Sequence, residues 1–146
     1  MPPDRHYVED SLGALEENLR FLRDLASRPE DQFVASREAS YSAAYALMIC
    51  IEATAGIAGH LLSSTGRNTP KGMAGSFEQL HAEGILSSGD LAVSLAKMSR
   101  FRNLIVHRYW KVDYSTVHDI LLHHLDDFRA FAAEIETYLS ENEGGP

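Results

Sequence analysis

Between Val8 and Leu25 the apolar residues Val8, Leu12, Leu15, Leu19, Leu22 and Leu25 fall mostly three or four apart. That spacing gathers side chains on one stripe of an α-helix. Arg28-Pro29 ends the run, because a residue before proline is pushed out of helical backbone angles, so the pattern predicts a first helix over 6–27. A second pattern extends from about Asp31 to Ser63 through Phe33, Tyr41, Tyr45, Met48, Ile49, Ile57, Leu61 and Leu62. Its second half, YALMICIEATAGIAGHLL, is apolar or small on nearly every side, which predicts a central helix covered by several neighbours. Gly56 and Gly59 lie inside it. Each costs about 1 kcal/mol relative to alanine, so both positions suggest close approach by another backbone or a ligand.

SSTGRNTPKGMAG reads as a loop from its Gly, Asn, Thr and Pro content. It lacks the glycine and lysine spacing of a phosphate-binding loop. A short helix from about Gly75 to Glu83 follows, then EGILSSGD as a turn. The next helix starts near Ser88 and carries Leu91, Leu95, Met98, Phe101, Leu104, Ile105 and Val106. Asp113 or Ser115 can cap a last helix by accepting a free backbone N–H. That helix shows the cleanest stripe of the chain, Val117, Leu121, Leu125, Phe128, Ala132, Ile135 and Leu139. No stretch alternates with a strand's period. The expected architecture is all-α, an up-and-down helical bundle of four principal helices plus one short helix.

At 146 residues the chain has the length of a single domain, expected to span 1–146 with frayed ends at 1–5 and 141–146. No apolar run approaches the ~18 residues that cross a bilayer, and the start MPPDRHYVED lacks a secretion signal. A cytoplasmic protein without a membrane partner is expected. The single cysteine, Cys50, sits among apolar neighbours and reads as a small core residue.

Charge changes the picture in one place. A net charge of −8 argues against a protein that coats nucleic acid through bulk electrostatics. Yet residues 91–112 hold Lys97, Arg100, Arg102, Arg108 and Lys111 and none of the acids. If an anion binds, it binds there. On a straight helix Arg100 and Asn103 fall within about 40° of His107, while Arg102 is about 140° away around the cylinder. Either Arg102 uses its long stem, or the helix distorts, or a second copy completes the constellation across a two-fold axis. Arginine with histidine suits metal-free RNA cleavage, in which the 2′-hydroxyl attacks the adjacent phosphate. That needs a proton acceptor near neutral pH and a cation for the phosphorane. His107 can serve as acid/base and Arg102 as the phosphate grip. Asn103 can orient the imidazole or the ribose, and Tyr109 can bind substrate or offer an acceptor hydroxyl. Arg100, Arg108 and Lys111 are candidate RNA contacts. The plain alternative is that these are surface residues complementing a helix end. His123 and His124 point about 100° apart on a helix and lack Glu or Cys partners at ligand spacing, so no metal site and no cofactor are expected. His60, His81 and His118 read as surface or cap residues.

RNLIVHRY, Arg102 to Tyr109, fits R-x4-H-x-Y. With the flanking MSRFRN and YWKVD, the central helix, FEQLHAEGIL and VHDILLHHLDDF in the same order, the chain resembles the HEPN superfamily. Specifically it is similar to the HepT-like toxins encoded beside a minimal nucleotidyltransferase antitoxin. The resemblance implies a bundle that dimerises along the motif helices and a metal-independent endoribonuclease. It places Arg102, Asn103 and His107 in the catalytic cleft and marks Tyr109 as the residue that receives AMP from the nucleotidyltransferase. One departure stands out: members often carry an acidic residue where this chain has Gly56, and a polar one where it has Gly59. If that carboxylate positions the arginine, the chain cleaves weakly or binds without cleaving. The alternative function is then a nucleotide- or partner-binding HEPN module that serves as docking and modification target.

Overall fold

The computed structural model describes residues 2–66 and 72–142. Seven α-helices follow one another among them: α1 (Arg5–Ala26), α2 (Glu30–Ala35), α3 (Arg37–Ser64), α4 (Gly72–Ala82), α5 (Gly89–His107), α6 (Tyr114–His123) and α7 (Leu125–Glu141). A single 3-10 turn, Tyr109–Lys111, separates α5 from α6. The all-α bundle stands, with more breaks than periodicity predicts.

Two helices expected as continuous are divided. At Ser36 the backbone turns extended, and its side chain accepts a hydrogen bond from the Ala39 N–H, which caps α3. Serine favours this role because its hydroxyl competes with the helical ladder. At His124 the backbone leaves helical angles for one residue, so the expected last helix becomes α6 and α7. Other boundaries match the sequence: Ser88 caps α5 through Leu91 N–H and Asp113 caps α6 through Ser115 N–H. The short fourth helix begins at Gly72, three residues before Gly75. It ends where Gly84, at φ +76°, takes the left-handed conformation that glycine adopts without penalty. The predicted loop before it lies partly outside the described residues, at 67–71, as do 143–146 of the expected frayed end.

Near the start the chain is tied down rather than loose. Asp4 accepts from Tyr7 N–H and caps α1, its own N–H donates to His60 Nε2 at 2.8 Å, and Arg5 donates to the Leu139 carbonyl at 3.0 Å.

α3 is the axis of the molecule and packs against each of the other six helices. By length and composition it could cross a membrane, contrary to the expectation that no apolar run is long enough; half of its most apolar window is buried within the fold. α1 runs antiparallel to α7, as Arg23 with Asp126 and Arg129 with Glu16 pair along their length. The stripe predicted for α1 is buried at Val8, Leu15, Leu19, Leu22 and Leu25, with Leu12 packed at its edge. The stripe predicted for α6 and α7 is buried at every position except Ala132, which is partly covered. Phe33, Phe77, Phe128 and Phe131 fill the centre, with Phe77 and Phe131 edge to face at 6.1 Å.

Candidate active site

α5 continues as regular α-helix up to His107, where the Arg108 N–H closes it on the Leu104 carbonyl. The helix does not distort to bring Arg102 and His107 together. Instead Arg102 reaches sideways to α3: its Nε donates to Glu52 Oε1 at 2.5 Å, and its Nη2 pairs with the same oxygen. Its Nη1 donates to Asn103 Oδ1 at 3.1 Å. The Arg102 side chain is only 19% exposed, so its stem is packed and its head is fixed. A guanidinium carries five N–H donors. Three are committed here, which leaves one N–H on each terminal nitrogen uncommitted among the described residues.

The acidic partner of this arginine is therefore Glu52, one helical turn before Gly56. The concern that Gly56 leaves Arg102 without a positioning carboxylate is removed by this geometry. Nothing in the sequence pattern singled out Glu52. The available signal was a lone acid in YALMICIEATAGIAGHLL, an otherwise uncharged stretch. At Gly56 a Cβ would lie 2.8 Å from the Tyr7 hydroxyl, so that glycine accommodates a side chain from α1. At Gly59 nothing lies within 4 Å of a Cβ, and the expected close approach there is absent among the described residues.

His107 is exposed at the end of α5 and its side chain makes no hydrogen bond, ion pair or ring contact among the described residues. Asn103 turns its carbonyl to Arg102 rather than to His107. Within one chain, then, Arg102 and Asn103 are brought together, and His107, one turn beyond Asn103 on the same helix, makes no hydrogen bond to either among the described residues. Tyr109, 69% exposed, packs edge to face on Trp110, 66% exposed, with ring centres 5.3 Å apart. Arg100, Arg108 and Lys111 are exposed and their side chains have no partner among the described residues. On α3, Tyr41 and Tyr45 are 55% and 62% exposed. They were expected in the core pattern; they face outward, with Tyr41 stacked on Tyr114 at 5.5 Å and the Arg37 guanidinium over its ring. Val106 is also exposed.

The remaining histidines divide by burial. His118 is buried, with its Nε2 donating to the Arg28 carbonyl at 2.8 Å and its ring against Phe33, so it belongs to the core rather than to the surface. His81 Nδ1 donates to the Leu86 carbonyl at 2.9 Å. His123 and His124 lie near Asp119 and Asp127 on the surface.

Residues 15–135 match the family model described as Ribonuclease HepT-like. The chain belongs to the HepT-like family. Among curated relatives, the mRNA nuclease HepT of Shewanella oneidensis is 34% identical over 85 residues, covering 58% of this chain and 63% of that protein; the match spans less than two thirds of the relative's length. Solved structures agree in fold. The AMPylated HEPN toxin of Shewanella oneidensis, in complex with its MNT antitoxin, superposes with a TM-score of 0.84 at 23% identity over 92% of this chain and 99% of that one. The Bacillus subtilis cytosolic protein YutE gives 0.84 at 20% identity over 99% and 95%. The HepT-like fold expected from RNLIVHRY and its flanks is thus established.

Proposed function

We propose that this HepT-like chain is the toxin of a toxin–antitoxin pair and acts in the cytoplasm as a metal-independent endoribonuclease. The observation that carries this reading is the state of Arg102, held by Glu52 and Asn103 with one N–H left over on each terminal nitrogen. A guanidinium fixed in this way is preorganised for the two non-bridging oxygens of a phosphodiester, and it needs no reorganisation as negative charge grows on the phosphorane.

The reaction follows from these groups. An imidazole takes the proton of the ribose 2′-hydroxyl, whose oxygen attacks phosphorus. The P–O5′ bond breaks, and a second proton donor supplies the departing 5′-oxygen. The products are a 2′,3′-cyclic phosphate and a 5′-hydroxyl, with no redox change and no metal in the balance. One chain presents a single motif imidazole, at His107, away from its own Arg102. A homodimer across the ends of the motif helices brings each His107 toward the phosphate grip of its partner, and water serves as the second proton donor. The exposure of Tyr41, Tyr45, Val106, Tyr109 and Trp110 supports such a covered face, since exposed large apolar side chains are what an interface covers. Asn103, with its carbonyl engaged by Arg102, keeps its amide donors for the ribose or phosphate. Arg100, Arg108 and Lys111 add cationic contacts to the strand.

The nucleotidyltransferase partner enters through Tyr109. Its hydroxyl is accessible, and transfer of AMP to it places a phosphodiester anion beside the basic segment where an RNA phosphate would sit, silencing the cleft. The structural neighbours solved with an MNT antitoxin support this partner class. A second reading, a binding module modified at Tyr109 without cleaving, is favoured by the separation of His107 from Arg102 within a single chain.

One assay separates the two. Purified chain incubated with RNA in EDTA should cleave, and His107→Ala should abolish cleavage. Intact RNA with wild type, together with a mass gain at Tyr109 when a nucleotidyltransferase and ATP are supplied, would establish the second reading instead.

A further inference from the structure

The turn that follows the motif carries the chain's one tryptophan, Trp110, and leaves it 66% exposed. Tryptophan is mostly covered in folded chains because its ring is a large apolar surface. Here the backbone holds it out. α5 ends as the Arg108 N–H closes on the Leu104 carbonyl, and the Lys111 N–H donates to the Arg108 carbonyl at 2.8 Å. Trp110 therefore sits on a closed turn at the end of α5. It lies three residues beyond His107, which bounds the separation of the two Cα atoms to about 11 Å. Tyr109 meets it edge to face. A contact of that kind takes one face of at most one of the two rings, so at least one face of the indole is free of Tyr109. No other ring or cation lies on it among the described residues. Arg108 and Lys111 flank it along the chain, both exposed and without a partner among the described residues. No acid occurs between residues 91 and 112, and the next one, Asp113, is committed to Ser115 at the cap of α6.

We propose that Trp110 is a stacking platform for an unpaired base of single-stranded RNA. The inference rests on the reading above that an RNA phosphate is held at Arg102 and His107, and it names the substrate class: a strand with an unstacked base close to the scissile bond. At ~3.4 Å per stacked nucleotide, the bound of about 11 Å puts that base within about three nucleotides of the one at His107. Aromatic faces set among cations are a general means of holding a single strand. The cations follow the phosphates, and every base has a π-face to stack. Bases inside a duplex are covered by their neighbours, so the indole selects for unpaired segments. The same surroundings set Trp110 at the margin of the face that two copies cover. A two-fold axis through this turn would oppose Arg108 and Lys111 to their own copies, with no acid of the turn between them. The turn therefore borders that contact rather than filling its centre, and stays open to an anionic strand.

Because the chain has one tryptophan, its emission reports this position alone. Titration of the full chain with 2′-O-methyl octaadenylate, which lacks the attacking hydroxyl, should quench that emission in step with binding followed by the anisotropy of an end-labelled strand. An abasic strand of the same length keeps the phosphates; it should bind more weakly and leave the emission unchanged. Trp110→Ala should weaken octaadenylate binding about 5- to 100-fold, the effect of losing one base–aromatic stack. Trp110→Phe should stay within about threefold of wild type, and thermal melts of both variants control for folding. Unchanged emission at saturating octaadenylate overturns the inference. So does equal quenching by the abasic strand, equal affinity of Trp110→Ala and wild type, or a Trp110→Phe protein no better than Trp110→Ala. If the emission follows protein concentration and not RNA, and Trp110→Ala is monomeric where wild type is not, the residue belongs to the contact between copies and the inference falls. Wild type that binds and quenches without cleaving RNA in EDTA keeps the stacking site and loses the nuclease reading; wild type that cleaves with no change in emission does the reverse.

Discussion

Arg102 shows what a side chain can be read for in sequence and what it cannot. The R-x4-H spacing placed it on α5, and helical angles already separated it from His107 by about 140°. Its partner Glu52 lies 50 positions away and carries no local signal, because the pairing is made by packing α3 on α5. Glu52 is 41% exposed, and half-exposed ion pairs contribute little to stability. Glu52→Gln is therefore expected to leave the melting temperature nearly unchanged while lowering RNA cleavage about tenfold through a loosened guanidinium. Arg102→Lys keeps the charge but loses the fork, and its kcat/KM should fall by about 100-fold or more. Steady-state kinetics beside thermal melts decide both. Cys50 makes a separate prediction. Burial pushes its thiol up to about 12 from 9.0. The folded chain thus holds a proton that the unfolded chain has lost between those values, so stability must fall as pH rises above about 9. The loss attributable to this group is on the order of 1.4 kcal/mol per pH unit in that window. Denaturant melts at pH 8 and pH 10.5 should show a steeper decline for wild type than for Cys50→Ala. Alkylation of native protein at pH 8 should be slow.

The helices were legible where one stripe repeats and illegible where the chain steps out for one residue. Leu15, Leu19 and Leu22 announce α1, and Val117 through Leu139 announce the paired α6 and α7. The break at His124 has no proline, glycine or capping side chain to mark it. At Ser36 the signal existed in a serine followed by Glu38 in the first turn, yet the apolar run across it masked the stop. Ser36→Ala is expected to cost about 1 kcal/mol by freeing the Ala39 N–H, read as a shift in urea midpoint without a change in slope. Tyr41 and Tyr45 carry the same lesson. Their spacing matched the core pattern because the outer stripe of α3 is apolar too, and periodicity alone does not tell which apolar face the chain's own core will cover.

For the molecule as a whole, the family was readable from the motif and its flanks, whereas the proposed cleavage needs Arg102 and His107 to share a phosphate, and no contact joins them within one chain among the described residues. Arg102 turns to α3 and His107 projects from the end of α5 without a partner among the described residues. The two meet over one phosphate if two copies pack along the exposed faces of Tyr45, Val106 and Tyr109. Complementation tests this most directly: Arg102→Ala and His107→Ala proteins are purified, each confirmed inactive on RNA in EDTA, then unfolded, mixed and refolded together. A shared cleft predicts that the mixture recovers a substantial fraction of wild-type cleavage, because hybrid dimers retain one guanidinium and one imidazole from different chains. A mixture of folded, dimeric variants no more active than either alone, beside an active wild type, would contradict it.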